Sequence, residues 1–144
     1  MLDNPELIFT DLELMLRKLK KSSYEANMKK FRESHGDFID KMIRSVCDSD
    51  DRDVASEAVA NDFAEGIFDA FSRNGKIGGR KLADMNFFMI YYIFPAILLT
   101  GEDCADDLCK AVKKAWNEKF KTNIGYTDYD TLYSSFRNKI FGIF

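Results

Sequence analysis

The sequence predicts an all-α fold, a single-domain bundle of about six or seven helices around a buried apolar central helix at about residues 80–100. Three observations carry that prediction. Apolar residues recur at three- and four-residue spacing along most of the 144-residue chain, the period of a helix buried on one face. Only two Pro and eight Gly punctuate it, too few for a many-turned β fold. Thirteen Phe, six Tyr and one Trp supply a large core, because aromatic side chains bury a great deal of area each. A chain of this length buries roughly 68–70% of the surface its unfolded form exposes, enough to fold without a metal or a disulfide. No linker divides it, so residues 1–144 read as one helical domain.

The first helix opens where Asp3 or Asn4 can cap it. Pro5 suits the first helical position and Glu6 the positive end of the dipole. Ile8, Leu12, Met15, Leu16 and Leu19 form its stripe, and Arg17, Lys18, Lys20 and Lys21 gather at its C-terminal end. Ser22 or Ser23 caps a second helix with Tyr24, Met28 and Phe31 on one face, and His35–Gly36 reads as its end. A short third helix carries Phe38, Ile39, Met42, Ile43 and Val46. The acidic loop at 48–53 follows, in which Asp53 or a neighbour caps a fourth helix over about 54–74. Its stripe is Ala55, Val59, Phe63, Ile67 and Phe71. Gly66 and Ala70 on this helix predict the close approach of another helix.

Residues 74–79, four of them turn formers, mark the clearest break. The fifth helix holds the 13-residue apolar run at 87–99. A membrane span needs about 20 such residues, so this run reads as a buried central helix, kinked or ended by Pro95. Thr100–Gly101 turns the chain into a sixth helix, with Ala105, Leu108, Cys109, Val112, Ala115, Trp116 and Phe120 on its apolar face. Acids open that helix and lysines close it, as the dipole favours. A loop at 123–126 leads to a last helix, capped by Thr127 or Asp128, with Leu132, Tyr133, Phe136 and Ile140.

The net charge of −3 disfavours a dedicated nucleic-acid binder. Charge is unevenly spread, however. Residues 17–44 hold nine basic and four acidic side chains, and residues 48–69 hold eight acids and one Arg. Two solvated faces of opposite sign account for this; a bipolar surface that steers a charged partner is the functional alternative. Cys47, Cys104 and Cys109 are odd in number and lack CxxC spacing, so no disulfide framework is expected and a reducing compartment fits. The N-terminus lacks the basic stretch and apolar core of a secretory leader. These points together predict a cytoplasmic protein without a membrane span.

Few residues carry a chemical signal. The one His, His35, has no triad signature beside it and reads as a capping or surface residue. One His and three scattered Cys lack structural-zinc spacing and exclude a ferritin-like di-iron site. Read as a calcium loop, the turn at 74–79 would place Ala70 and Lys81 where carboxylates are needed. Its Lys76, Arg80 and Lys81 precede a helix start and would suit a phosphate, though no Walker pattern is present. No catalytic residue and no cofactor is assigned.

The carboxylates form a sharper pattern. Asp62, Glu65 and Asp69 share one face of the fourth helix, and Asp103 and Asp106 one face of the sixth. Solvated helix faces explain them most simply. They are also the candidate Mg²⁺ ligands. This pairing resembles the metal-binding pattern of the all-α nucleotide pyrophosphohydrolases, which implies Mg²⁺-dependent hydrolysis of nucleotides. The resemblance covers these residues alone. That family favours Glu at most such places, whereas only Glu65 is Glu here.

The first functional expectation is a non-enzymatic helical protein acting through protein–protein interaction, as a regulator, inhibitor or adaptor. Its partner would be another protein or a second copy of the chain. The candidate contact residues are Phe136, Arg137, Lys139, Phe141 and Phe144, since aromatics and Arg are favoured at interfaces. A bundle that binds a small apolar ligand between helices, lined by Met89, Tyr91, Tyr92 and Trp116, ranks second. The pyrophosphohydrolase reading ranks third.

Overall fold

The computed structural model of the protein describes residues 4–18 and 24–125. Among these residues the fold is all-α. The helices are α1 (Glu6–Lys18), α2 (Tyr24–Cys47), α3 (Arg52–Phe71), α4 (Gly79–Phe88), α5 (Phe94–Leu98) and α6 (Ala105–Phe120). A π-helical turn at Met89–Ile93 joins α4 to α5 without a break, so five helical bodies result. The expected last helix lies outside the described residues, as do the Asp3 and Ser22/Ser23 caps and the Leu19 end of the first stripe.

The count falls below six or seven for a second reason. The two helices expected on either side of His35–Gly36 are one, α2, which runs through Gly36. Met28, Phe31, Ile39, Met42, Ile43 and Val46 are all buried, so the apolar stripe stays in phase across the glycine. A helix interior Gly costs about 1 kcal/mol relative to Ala. Burying even one large apolar side chain is worth about 1.5–3 kcal/mol, so the stripe outweighs the weak residue.

Helix α1 buries Ile8, Phe9, Leu12 and Met15. Phe9 is its main anchor. Its ring stacks on Trp116 at 5.8 Å and meets Phe63, Phe71 and Phe88 at 6.1–6.4 Å, which binds α1 to α3, α4 and α6 at one point. Lys81 Nζ holds Glu13 at 2.9 Å and lies 4.8 Å over the Phe71 ring.

Helix α3 begins at an Asp51 cap, whose side chain accepts from the Val54 N–H at 3.2 Å. Its longest contact is with α6. The buried face carries Ser56, Ala60, Phe63, Ala64 and Ile67, rotated from the expected stripe, with Ala55 and Val59 only half-buried. Across the α6 contact Phe63 meets Trp116 at 6.4 Å and Phe68 meets Phe120 at 5.7 Å. Gly66 does permit a close approach, but to the head of α1 rather than the side of a helix. A Cβ there would stand 2.9 Å from the Pro5 ring. Ala70 is exposed.

The break at 74–79 is a tight reversal. Asn74 and Gly75 both have positive φ, 54° and 72°, the pair a type I′ turn demands. Arg73 and Lys76 exchange two backbone hydrogen bonds across it, at 2.7 and 3.1 Å.

Proline acts differently from a simple kink. Pro95 has no N–H for the Tyr91 carbonyl four residues earlier. The backbone widens into the π turn just before it, with the Phe94 N–H bonded to the Met89 carbonyl. The Tyr24 hydroxyl of α2 donates to the Tyr91 carbonyl. Residues 92–98 are buried throughout, but the expected buried run at 87–99 is interrupted by exposed Phe87 and Tyr91. The continuous stretch Gly79–Leu98 has a mean hydropathy of 1.2 over its most apolar window, which is 56% buried in the fold. By length and composition it is the one described helix able to cross a membrane.

Helix α6 matches its expected amphipathic face. It ends on Lys121 in the left-handed region, φ 58°. The Asn117 side chain then ties down the exit, accepting from the Ile124 N–H and Thr122 hydroxyl and donating to the Ile124 carbonyl, each at 2.9 Å.

The cysteines overturn the expectation drawn from their number. Cys47 at the end of α2 and Cys104 at the head of α6 form a disulfide, with Cα atoms 5.7 Å apart and a sequence separation of 57. Cys109 alone is free, and it is buried. Two ion pairs brace the same corner: Arg44 with Glu102, and Arg52 with Asp103 at 3.2 Å.

Candidate functional site

A groove of about 540 Å³ runs between α2 and the end of α5. Met28 and Ile39 on α2 and Ala96 and Leu99 across from them supply its apolar part. Gly36 opens it: a Cβ built there would meet nothing within 4 Å. The periodicity that buries Met28 and Ile39 places Gly36 between them along the helix, so the missing side chain leaves a gap in the wall. Half of the twelve lining residues are charged, namely Glu25, Lys29, Arg32, Glu33, Asp40 and Glu102. Glu102 is held by Arg44. Thr100 also lines it, its hydroxyl donating to the Ile97 carbonyl at 2.7 Å.

A second exposed feature lies nearby on the α4–α5 stretch. Phe87 and Tyr91, one turn apart, have ring centroids 4.7 Å apart and exposures of 44% and 43%. Behind them Tyr24 and Tyr92 pack at 5.2 Å. Burial, and then the neighbouring Tyr92 and Tyr91, push the Tyr24 hydroxyl far above its ordinary value. Burial also raises Tyr92, partly offset by a hydrogen bond from the Asn27 side chain.

No three of Asp62, Glu65, Asp69, Asp103 and Asp106 bring oxygens within 4.8 Å of one another among the described residues. Asp62 lines a shallow recess with Lys41 and Arg44, Glu65 and Asp69 are exposed, and Asp103 pairs with Arg52. Asp106 lies one turn before Cys109 and adds to the burial that pushes that thiol well up. A raised thiol is a poor nucleophile, which fits a core role for Cys109.

His35 is neither a cap nor a surface residue. It lies inside α2, with Nε2 2.9 Å from the Asp11 carboxylate and its ring 5.4 Å from Phe31, and so it links α2 to α1. In the basic turn, the reciprocal Arg73–Lys76 bonds occupy the Lys76 backbone N–H, and Lys81 turns away to Glu13. Of the residues expected to line an apolar ligand site, Met89, Tyr92 and Trp116 are core, with the Trp116 indole N–H on Asn86 at 2.8 Å. The tail residues Phe136, Arg137, Lys139, Phe141 and Phe144 lie outside the described residues.

Sequence reasoning missed the groove because Gly36 read as a helix end. The available signal was the in-phase stripe on both sides of it. Compared with known proteins, the chain matches no family model, no curated protein and no solved structure.

Proposed function

We propose that this chain is a non-enzymatic helical protein that works by binding another protein, with the groove beside Gly36 as its docking site. The observation that carries this reading is the groove itself. It has an apolar floor, a gap one side chain deep, and a rim of both charges. An amphipathic helix laid into a groove is a recurring recognition mode, with apolar anchors at one-turn spacing. Lys29 and Arg32 form no ion pair among the described residues and would meet acids flanking such anchors. The volume alone would also suit a small molecule, whose sites span roughly 300–1,000 Å³. Those sites are predominantly apolar, however, and half of this lining is charged. A macromolecular partner therefore fits better.

The test is partner capture by full-length protein, wild type against Gly36→Trp and a Lys29→Glu, Arg32→Glu double variant. The groove reading expects a reproducible partner that both variants lose while keeping wild-type helicity. Capture that survives both changes would sink it.

A further inference from the structure

No run of this sequence has metal-ligand spacing, yet the fold creates a ligand set. Cys47 Sγ, Cys104 Sγ and a carboxylate oxygen of Asp103 all lie within 4.8 Å of one another. No other three His, Cys, Asp or Glu donors converge so closely among the described residues. The three come from two elements, the end of α2 and the head of α6, so the grouping is tertiary. Their exposures are graded. Cys104 is fully buried, Cys47 half-buried and Asp103 exposed, so the site is anchored at its base and open to solvent at its mouth.

In the disulfide the two sulfurs are bonded to each other, and metals are ligated by thiolates. Reduction changes that chemistry. Cys104 occupies the N-cap position of the 16-residue α6, with no cap hydrogen bond from its side chain, and the positive end of the helix dipole favours a thiolate there. The Arg52 guanidinium beside Asp103 adds positive charge. Two thiolates and one carboxylate form a borderline-soft donor set that suits Zn²⁺ and not Mg²⁺ or Ca²⁺, which take oxygen ligands.

We propose that reduction of the Cys47–Cys104 disulfide uncovers a Zn²⁺ site formed by Cys47, Cys104 and Asp103, with a water molecule as fourth ligand. A dithiol supplies the two electrons and two protons that open the S–S bond, and is itself oxidised to a disulfide. The two protein thiols then lose their protons to solvent as their sulfurs ligate the ion. Both the oxidised and the zinc-bound state tie α2 to α6, so the corner is crosslinked in either one.

The test uses the full chain, reduced by a phosphine under anaerobic conditions and titrated with Co²⁺ as a spectroscopic stand-in, then with Zn²⁺. The expected result is one Co²⁺ per chain with a thiolate-to-cobalt charge-transfer band that Zn²⁺ abolishes. The oxidised chain shows no band. Cys109→Ser leaves binding unchanged, and Cys47→Ser removes the band. Asp103→Asn weakens Zn²⁺ affinity by roughly tenfold or more, since losing a ligand costs at least what losing its hydrogen-bond partner does. A folded, reduced chain with no band would overturn the proposal. So would a band that persists in Cys47→Ser, or unchanged affinity in Asp103→Asn. If the reduced chain loses helicity, Zn²⁺ must restore it; failure to do so overturns the proposal as well.

Discussion

Two glycines in helix interiors should respond oppositely to the same substitution. Gly36→Ala and Gly66→Ala both remove backbone freedom from the unfolded chain, which by itself stabilises a helix by about 0.5–1 kcal/mol. That gain cancels in the comparison, and what remains is space. A methyl group at Gly36 meets nothing within 4 Å. At Gly66 it would stand 2.9 Å from Pro5 Cγ, so the ring would have to retreat about 0.6 Å to reach ordinary carbon–carbon separation. Pro5 is buried at the head of α1, and Ile8, Phe9 and Leu12 just behind it are wholly buried, so the whole helix start must move. Overpacking of this kind costs about 1–3 kcal/mol. Gly36→Ala should therefore be more stable than wild type, and Gly66→Ala less stable than Gly36→Ala by about 1–3 kcal/mol. Urea unfolding followed by far-UV circular dichroism measures both. Pro5→Ala should relieve the Gly66→Ala cost in a double-mutant cycle. Equal stability of the two single variants would refute the steric account.

Other outcomes follow from the same structure. Reducing the disulfide in the presence of a chelator releases a 57-residue loop, which should cost about 4 kcal/mol and lower Tm by on the order of 10 °C; calorimetry with and without reductant checks this. Asn86→Leu strands the buried Trp116 indole N–H and should destabilise by about 1–3 kcal/mol, readable as a shift in urea midpoint; Trp116→Phe should then cost less in that background than it does in the wild type. Tyr24 and Tyr92 hold their protons more tightly when folded than when unfolded. Their contribution is therefore complete below the unfolded value of 10.0 and falls as pH rises past it. Urea midpoints from about pH 8 to pH 11 should decline, and less steeply in Tyr92→Phe; a flat wild-type profile would contradict the assignment.

Most helices were legible because burial on one face leaves a periodic trace. Helix α6 is the clearest, since its stripe and its acid-to-lysine order both agree with the structure. Helix α2 was split because the local stop signal of His35–Gly36 competes with a stripe whose strength shows only when both sides are buried on the same core. The role of Phe9 was hidden for a related reason. Its four ring partners come from three other helices, and no local pattern encodes them. The disulfide joins residues 57 apart, with a third cysteine left over to make the count odd. The groove was least legible of all, because it is formed by a side chain that Gly36 lacks.

The π turn at Met89–Ile93 also sets a phase. A π turn accommodates one residue more than the regular α-helix, and each residue in an α-helix advances about 100° around the axis. Deleting one residue from this segment would let the stretch relax to an even helix, and would turn α4 by about that angle relative to α5. Phe88 would swing off the Phe9 ring, buried Met85 would turn with it, and the Lys81–Glu13 pair would part. The extra residue is thus a fixed offset, like a spacer in a screw thread, that lets two differently facing halves of one helix close on the same core.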